Sequence, residues 1–215
     1  MIQVRFLTCN AFSENTYILW DETKEAILID PGCYEKHEFE AFSSFIQQEQ
    51  LKVVGIYNTH CHIDHVLGCA WAMRTYGIPL YIHELELSNC KMNKIVADRY
   101  GFHQYEDFAH THFLKENDLV QFGKSQLKVL FVPGHSPGHV AFYAAEEKFC
   151  INGDVLFKGS IGRSDLPGGN MDQLLKSIQN VMFQLPDDTS VFCGHGEPTT
   201  IGYEKIHNPF CGIDA

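Results

Sequence analysis

Basic side chains are scarce. The 215-residue chain has 16 Lys and Arg against 27 Asp and Glu, a formal charge of −11, with no clustered basic stretch. Phosphate backbones are held by grouped Lys and Arg, so a nucleic-acid surface is excluded. Long apolar runs are missing too. None approaches the roughly 20 residues of a membrane-spanning helix, and no membrane association is expected. Residues 1–7 alternate like a strand with no apolar signal core after them, which points to a cytoplasmic protein. Linkers, low-complexity tracts and fixed-period repeats are absent, which excludes solenoids and leaves one domain over 1–215 as the expectation. Nor are the eight cysteines spaced as a disulfide framework. Several sit in apolar runs such as Phe149-Cys150-Ile151 and Val191-Phe192-Cys193, as free buried thiols in a reducing compartment would.

What is present is an alternation of short apolar runs with single amphipathic stretches. Strands are predicted at 2–9, 15–20, 25–30, 51–57 and 78–82, then at 119–122, 127–132, 140–144, 149–151 and 190–193. Helices are predicted at 37–50, where Phe39, Phe42, Phe45 and Ile46 recur at helical spacing, and at 66–76, 84–100 and 171–185. Gly77 is placed to end one helix and Asn170 to cap another. The stretch 101–116 has no period and reads as a surface loop or lid. Strand runs broken by helices in each half suggest sheets covered by helices, not an all-β sandwich.

Four of these strands end in a metal-ligand residue type. The strand at 51–57 leads into Thr59-His60-Cys61-His62-Ile63-Asp64-His65, and later strands deliver His135, Asp154 and His195, each after a glycine. In extended backbone His60 and His62 point the same way and can reach one ion. Asp64 and His65 follow at the turn into the next helix, placed for a second ion. Five imidazoles and two carboxylates suit a borderline divalent ion such as Zn²⁺, without excluding Fe or Mn.

The order His-x-His-x-Asp-His, then a distant His, an Asp and a final His, resembles the metallo-β-lactamase superfamily over about residues 2–205. The resemblance implies an α/β fold, a four-layer αββα sandwich with two metals at one edge of its sheets. It implies one ion on His60, His62 and His135, another on Asp64, His65 and His195, and Asp154 between them. It also implies a hydroxide nucleophile, oriented by Asp64, attacking a carbonyl. The run 159–169 and the tail from Gly194-His195-Gly196 to Asn208-Pro209-Phe210 look like the glyoxalase II-like branch. That implies a thioesterase acting on hydroxyacyl-glutathione-type small molecules. The C-terminal helical region through which full-length members of that branch bind glutathione is not expected in this chain.

Other residues have plainer alternatives. Cys61 has the opposite parity to its histidine neighbours and is assigned to packing. Asp30 is balanced between a hydrogen bond that orients a ligand histidine and a turn cap. His139 either orients a ligand or shapes the Gly138 turn. Arg163 is assigned to pairing with Asp165 ahead of binding an anionic substrate group. His83, His103, His110 and His112 are assigned to the surface or to loops. Two rival functions remain: a persulfide dioxygenase with one iron on His60, His135 and Asp154, and a metal-bound module without activity.

Overall fold

A computed structural model describes residues 1–108 and 111–213; His110, expected on the surface or in a loop, lies outside the described residues. The chain forms two compact units, Met1–Leu114 with Gln121–Gln126, and Lys115–Val120 with Leu127–Ala215.

In the first unit, β1 (Gln3–Cys9) and β2 (Glu14–Trp20) pair as an antiparallel hairpin. Asn10 and Ser13 turn it at φ of 53° and 57°. β3 (Glu25–Ile29) pairs antiparallel with β2; β4 (Lys52–Tyr57), β5 (Leu80–His83) and β6 (Thr111–Leu114) continue in parallel. Helix α1 (Lys36–Gln48) connects β3 to β4 and buries Phe42 and Ile46. With Ile18, Leu28, Ile56, Leu80 and Ile82 these residues make one apolar core. Parallel order places the loops after β3 and β4, carrying Asp30 and His60, at the same end of the sheet, where open sheets commonly form their sites.

Two expectations need correcting here. The helix predicted at 66–76 is two helices, α2 (Ile63–Val66) and α3 (Cys69–Tyr76). Asp64 and His65 therefore sit inside a short helix and not in the turn before one. The break falls at Gly68, where an added Cβ would lie 2.9 Å from the carbonyl oxygens of Pro31 and Cys33. The close approach of that loop divides the helix. Second, residues 111–114 are not loop but the edge strand β6. Only Leu114 of its four residues is buried, so it carries no strand-like alternation to read. Helix α4 (Leu87–Tyr100) ends at Gly101, with φ of 83°.

The second sheet, which apart from Gln121–Gln126 falls in the second unit, has β7 (Leu119–Phe122), β8 (Ser125–Phe131), β9 (Val140–Ala144), β10 (Phe149–Gly153), β13 (Ser190–Cys193) and β14 (Thr199–Thr200) in the order β14-β13-β10-β9-β8-β7. Strands β11 (Leu156–Phe157) and β12 (Ser160–Ile161) form a separate small hairpin. β10 and β13 run parallel, so the residues after them, Asp154 and His195, leave the sheet at one end. Helix α5 (Met171–Asn180) buries Leu174 and Ile178, and its cap Asn170 accepts from the Gln173 amide at 2.9 Å. The predicted helix at 171–185 is shorter, closing with a separate turn at Met182–Gln184. Helix α6 (Ile201–His207), unforeseen, is capped by Thr200. No helix among the described residues is long and apolar enough to cross a membrane.

Candidate metal centre

Within the first unit, Asp30 is the hub. Its Oδ1 accepts from the Thr59 amide at 2.7 Å, and its Oδ2 from the Thr59 hydroxyl at 2.6 Å. His65 Nδ1 lies 3.0 Å from the same Oδ2. A carboxylate acceptor places the imidazole proton on Nδ1 and leaves the Nε2 lone pair for a ligand. The Thr59 hydroxyl has already donated to Asp30. It therefore accepts from His60 Nδ1, 3.0 Å away, which fixes His60 in the same tautomer. One buried carboxylate thus sets the tautomer of two histidines. Asp30 does so from a left-handed backbone, φ 51°, sparsely populated outside glycine and found where a site constrains the chain.

The rings of His62 and His65 lie 4.7 and 4.1 Å from that of His60, centroid to centroid, and His65 Nε2 is 3.7 Å from Asp64 Oδ2. The loop is held from behind. Asn58 donates to the His65 carbonyl at 2.7 Å, and Asn10 to the Asp64 carbonyl at 2.9 Å. The Cys61 amide donates to the buried Glu86 carboxylate at 2.8 Å, while the Cys61 side chain is wholly buried. Beside His65, burial pushes the Glu14 carboxyl well above its usual range, partly opposed by the imidazole.

Within the second unit, His135, Asp154 and His195 come together. His135 Nε2 is 3.6 Å and His195 Nε2 3.5 Å from Asp154 Oδ2. These gaps exceed normal hydrogen bonds. Zinc bonds of about 2.0–2.1 Å in tetrahedral array would separate neighbouring donors by about 3.3–3.4 Å, close to what is found. Each imidazole–carboxylate pair therefore has the spacing of two donors on one divalent cation, with Asp154 common to both pairs. His135 Nδ1 donates to the Arg163 carbonyl at 2.7 Å, again leaving Nε2 to coordinate. The Asp154 amide donates to His139 Nε2 at 3.1 Å, so His139 is a neutral acceptor that fixes the backbone of Asp154. Gly162 is required here: a Cβ would fall 1.9 Å from the Asp154 carbonyl oxygen.

The Arg163 side chain forms a two-pronged pair with Asp165, at 2.7 and 2.8 Å, and holds that carboxyl at about 2. His83 accepts from the Leu85 amide, exposed His103 lies near Asp98, and the His112 ring stacks on Tyr81. The sequence reading missed Thr59, Asn10 and the Arg163 carbonyl. Thr59 stands next to a recognised position, but Asn10 lies far from them all in sequence, and a carbonyl leaves no trace in residue type.

The family model of the metallo-beta-lactamase superfamily matches residues 9–195. A protein of Haemophilus influenzae named hydroxyacylglutathione hydrolase GloC is 33% identical over 211 residues, covering 97% of this chain and 98% of its own. Of solved structures, TTHA1623 in a di-iron-bound form superposes with a TM-score of 0.85 at 35% identity, covering 96% of this chain and 99% of its own. The B3 metallo-beta-lactamase BLEG-1 gives 0.82 at 34%, covering 97% and 99%. The expected fold class, an α/β metallo-β-lactamase sandwich, is thereby borne out. The chain belongs to the metallo-beta-lactamase superfamily.

Proposed function

We propose that this chain is a binuclear metal-dependent hydrolase, acting on thioesters of the hydroxyacyl-glutathione kind. His60, His62 and His135 would hold one ion, Asp64, His65 and His195 the other, and Asp154 would be shared. Zinc is the first choice, with iron or manganese as alternatives. The observation that carries the reading is the donor geometry around Asp154, where two imidazoles turn Nε2 toward one carboxylate oxygen at 3.5 and 3.6 Å. Bound divalent ions supply hydroxide at neutral pH, by lowering the pKa of water toward about 7, and a Lewis acid for the substrate carbonyl.

The chain's own residues do the rest. Asp30, through Thr59, and the Arg163 carbonyl keep three imidazoles in the coordinating tautomer. Asp64 orients the nucleophile by accepting a hydrogen bond. Its backbone is pinned by Asn10, so the carboxylate starts from a fixed point. A thiolate of pKa about 8.5 leaves without a proton, so a thioester needs no dedicated acid, whereas an amine would need one. The name of the Haemophilus influenzae relative supports the choice of thioester.

The test is hydrolysis of lactoylglutathione by protein whose metals have been quantified. Two ions per chain with rapid turnover support the reading. One iron per chain, no hydrolysis, and oxygen uptake with glutathione persulfide would transfer it to a mononuclear dioxygenase.

A further inference from the structure

Eight thiols are present; Cys61 hydrogen-bonds to half-buried Cys90, while Cys9 and Cys33 face each other with both side chains buried. Cys9 Sγ and Cys33 Sγ are 3.2 Å apart, with a sequence separation of 24 and almost no exposure of either side chain. Other buried thiols turn to oxygen instead: Cys69 donates to Asn58 Oδ1 and Cys193 to the Leu156 carbonyl, each at 3.3 Å. We propose that Cys9 and Cys33 are a redox modification site, a dithiol that hydrogen peroxide converts to a disulfide.

Position favours it first. Cys9 closes β1 and Cys33 follows the Asp30-Pro31-Gly32 turn. The same two segments are already tied by Asn10, whose side-chain amide donates to the Gly32 carbonyl at 2.9 Å. A disulfide needs about 2.05 Å between sulfurs, so closure shortens an existing contact by about 1.2 Å and joins no distant parts. The two thiols also differ. The hydrogen bond from Cys33 holds the Cys9 thiol below its ordinary value against the effect of burial, while that bond and burial push Cys33 up. Cys9 is thus the nucleophile and Cys33 the partner that keeps its proton until the second step. With both side chains at 2% exposure or less, the oxidant has to be as small as peroxide.

The chemistry balances. The Cys9 thiolate attacks one peroxide oxygen, the O–O bond breaks, and hydroxide leaves to take up the proton Cys9 released. Cys33 then attacks the sulfenic sulfur; the S–S bond forms, the S–O bond breaks, and the departing hydroxide takes the Cys33 proton. Two electrons pass from the sulfurs to peroxide, and two waters result. The product fastens the turn at Asn10 to the loop carrying Asp30.

The experiment uses the intact, reduced, full-length protein. It is treated with hydrogen peroxide in native buffer, quenched in acid, digested with trypsin without reductant and weighed. The expected result is loss of two of the eight thiols and linkage of peptide 6–24 to peptide 25–36, two hydrogens lighter than their sum and separated by dithiothreitol. In Cys33→Ser the link is lost, and peptide 6–24 instead gains the mass of oxygen on Cys9. Retention of both thiols while half-buried Cys90 is oxidised would overturn the proposal, as would a link that forms only in denaturant. The readout needs no turnover, so failure of the hydrolase reading leaves it intact, and its own failure leaves that reading intact.

Discussion

A single carboxylate carries much of the account at the residue scale. Asp30 accepts from Thr59 and His65 and, through the Thr59 hydroxyl, fixes His60 as well. Asp30→Asn keeps a side chain that tolerates the left-handed backbone but places an amide where two donors meet an acceptor. We expect metal affinity to fall about 10–100-fold, measured by competition with a chromophoric chelator, the usual loss when such an orienting partner is removed. Unchanged affinity would deny Asp30 this role. The candidate ligands were legible as a cluster, because His60, His62, Asp64 and His65 crowd into six positions that no packing pattern explains. Their supports were less so. The Thr59 relay needs a known loop conformation, and the Arg163 contribution comes from its backbone.

At the scale of elements, legibility followed burial. The strongly apolar β3 and β4 and the helix ended by Gly77 stood out, whereas β6, with one buried residue, did not. Helix α3 ended where expected because Gly77 adopts φ 68°. Open space surrounds the Gly77 Cβ position, so Gly77→Ala isolates backbone strain. A loss of about 1–2 kcal/mol in urea unfolding is expected, and no loss would contradict the assignment.

The β7–β8 turn tests a different link. Asp21, 1% exposed, accepts from the Thr23 amide and hydroxyl, the Lys124 amide and the Ser125 hydroxyl. Burial raises its pKa, but these bonds outweigh burial and hold it at about 2, against 3.8 ordinarily. A carboxyl whose pKa is depressed by folding stabilises fully above its unfolded value and loses that contribution as pH falls through its folded one. The stability from Asp21 should therefore fade between about pH 4 and pH 2. Asp21→Ala should cost at least about 2 kcal/mol at pH 7, and the difference from wild type should shrink across that window. A difference that does not vary with pH would refute the charge-based explanation.

For the whole molecule, the charge of −11 argued against a nucleic-acid surface but said nothing of chemistry. Chemistry became legible only when residues from distant parts of the chain were taken as one ligand set. Two of the proposed ligands, Asp64 and Asp154, are carboxylates, so a bound cation would supply the opposing charge and should stabilise the fold by mass action. Chelation is expected to lower Tm and readdition of zinc to restore it. The most direct test measures metal per chain and lactoylglutathione turnover on the same samples, from metal-free to fully loaded. The account predicts no turnover without metal and a rise with loading up to two ions per chain. Equal activity in the metal-free protein, or a chain that takes up no metal, would contradict it.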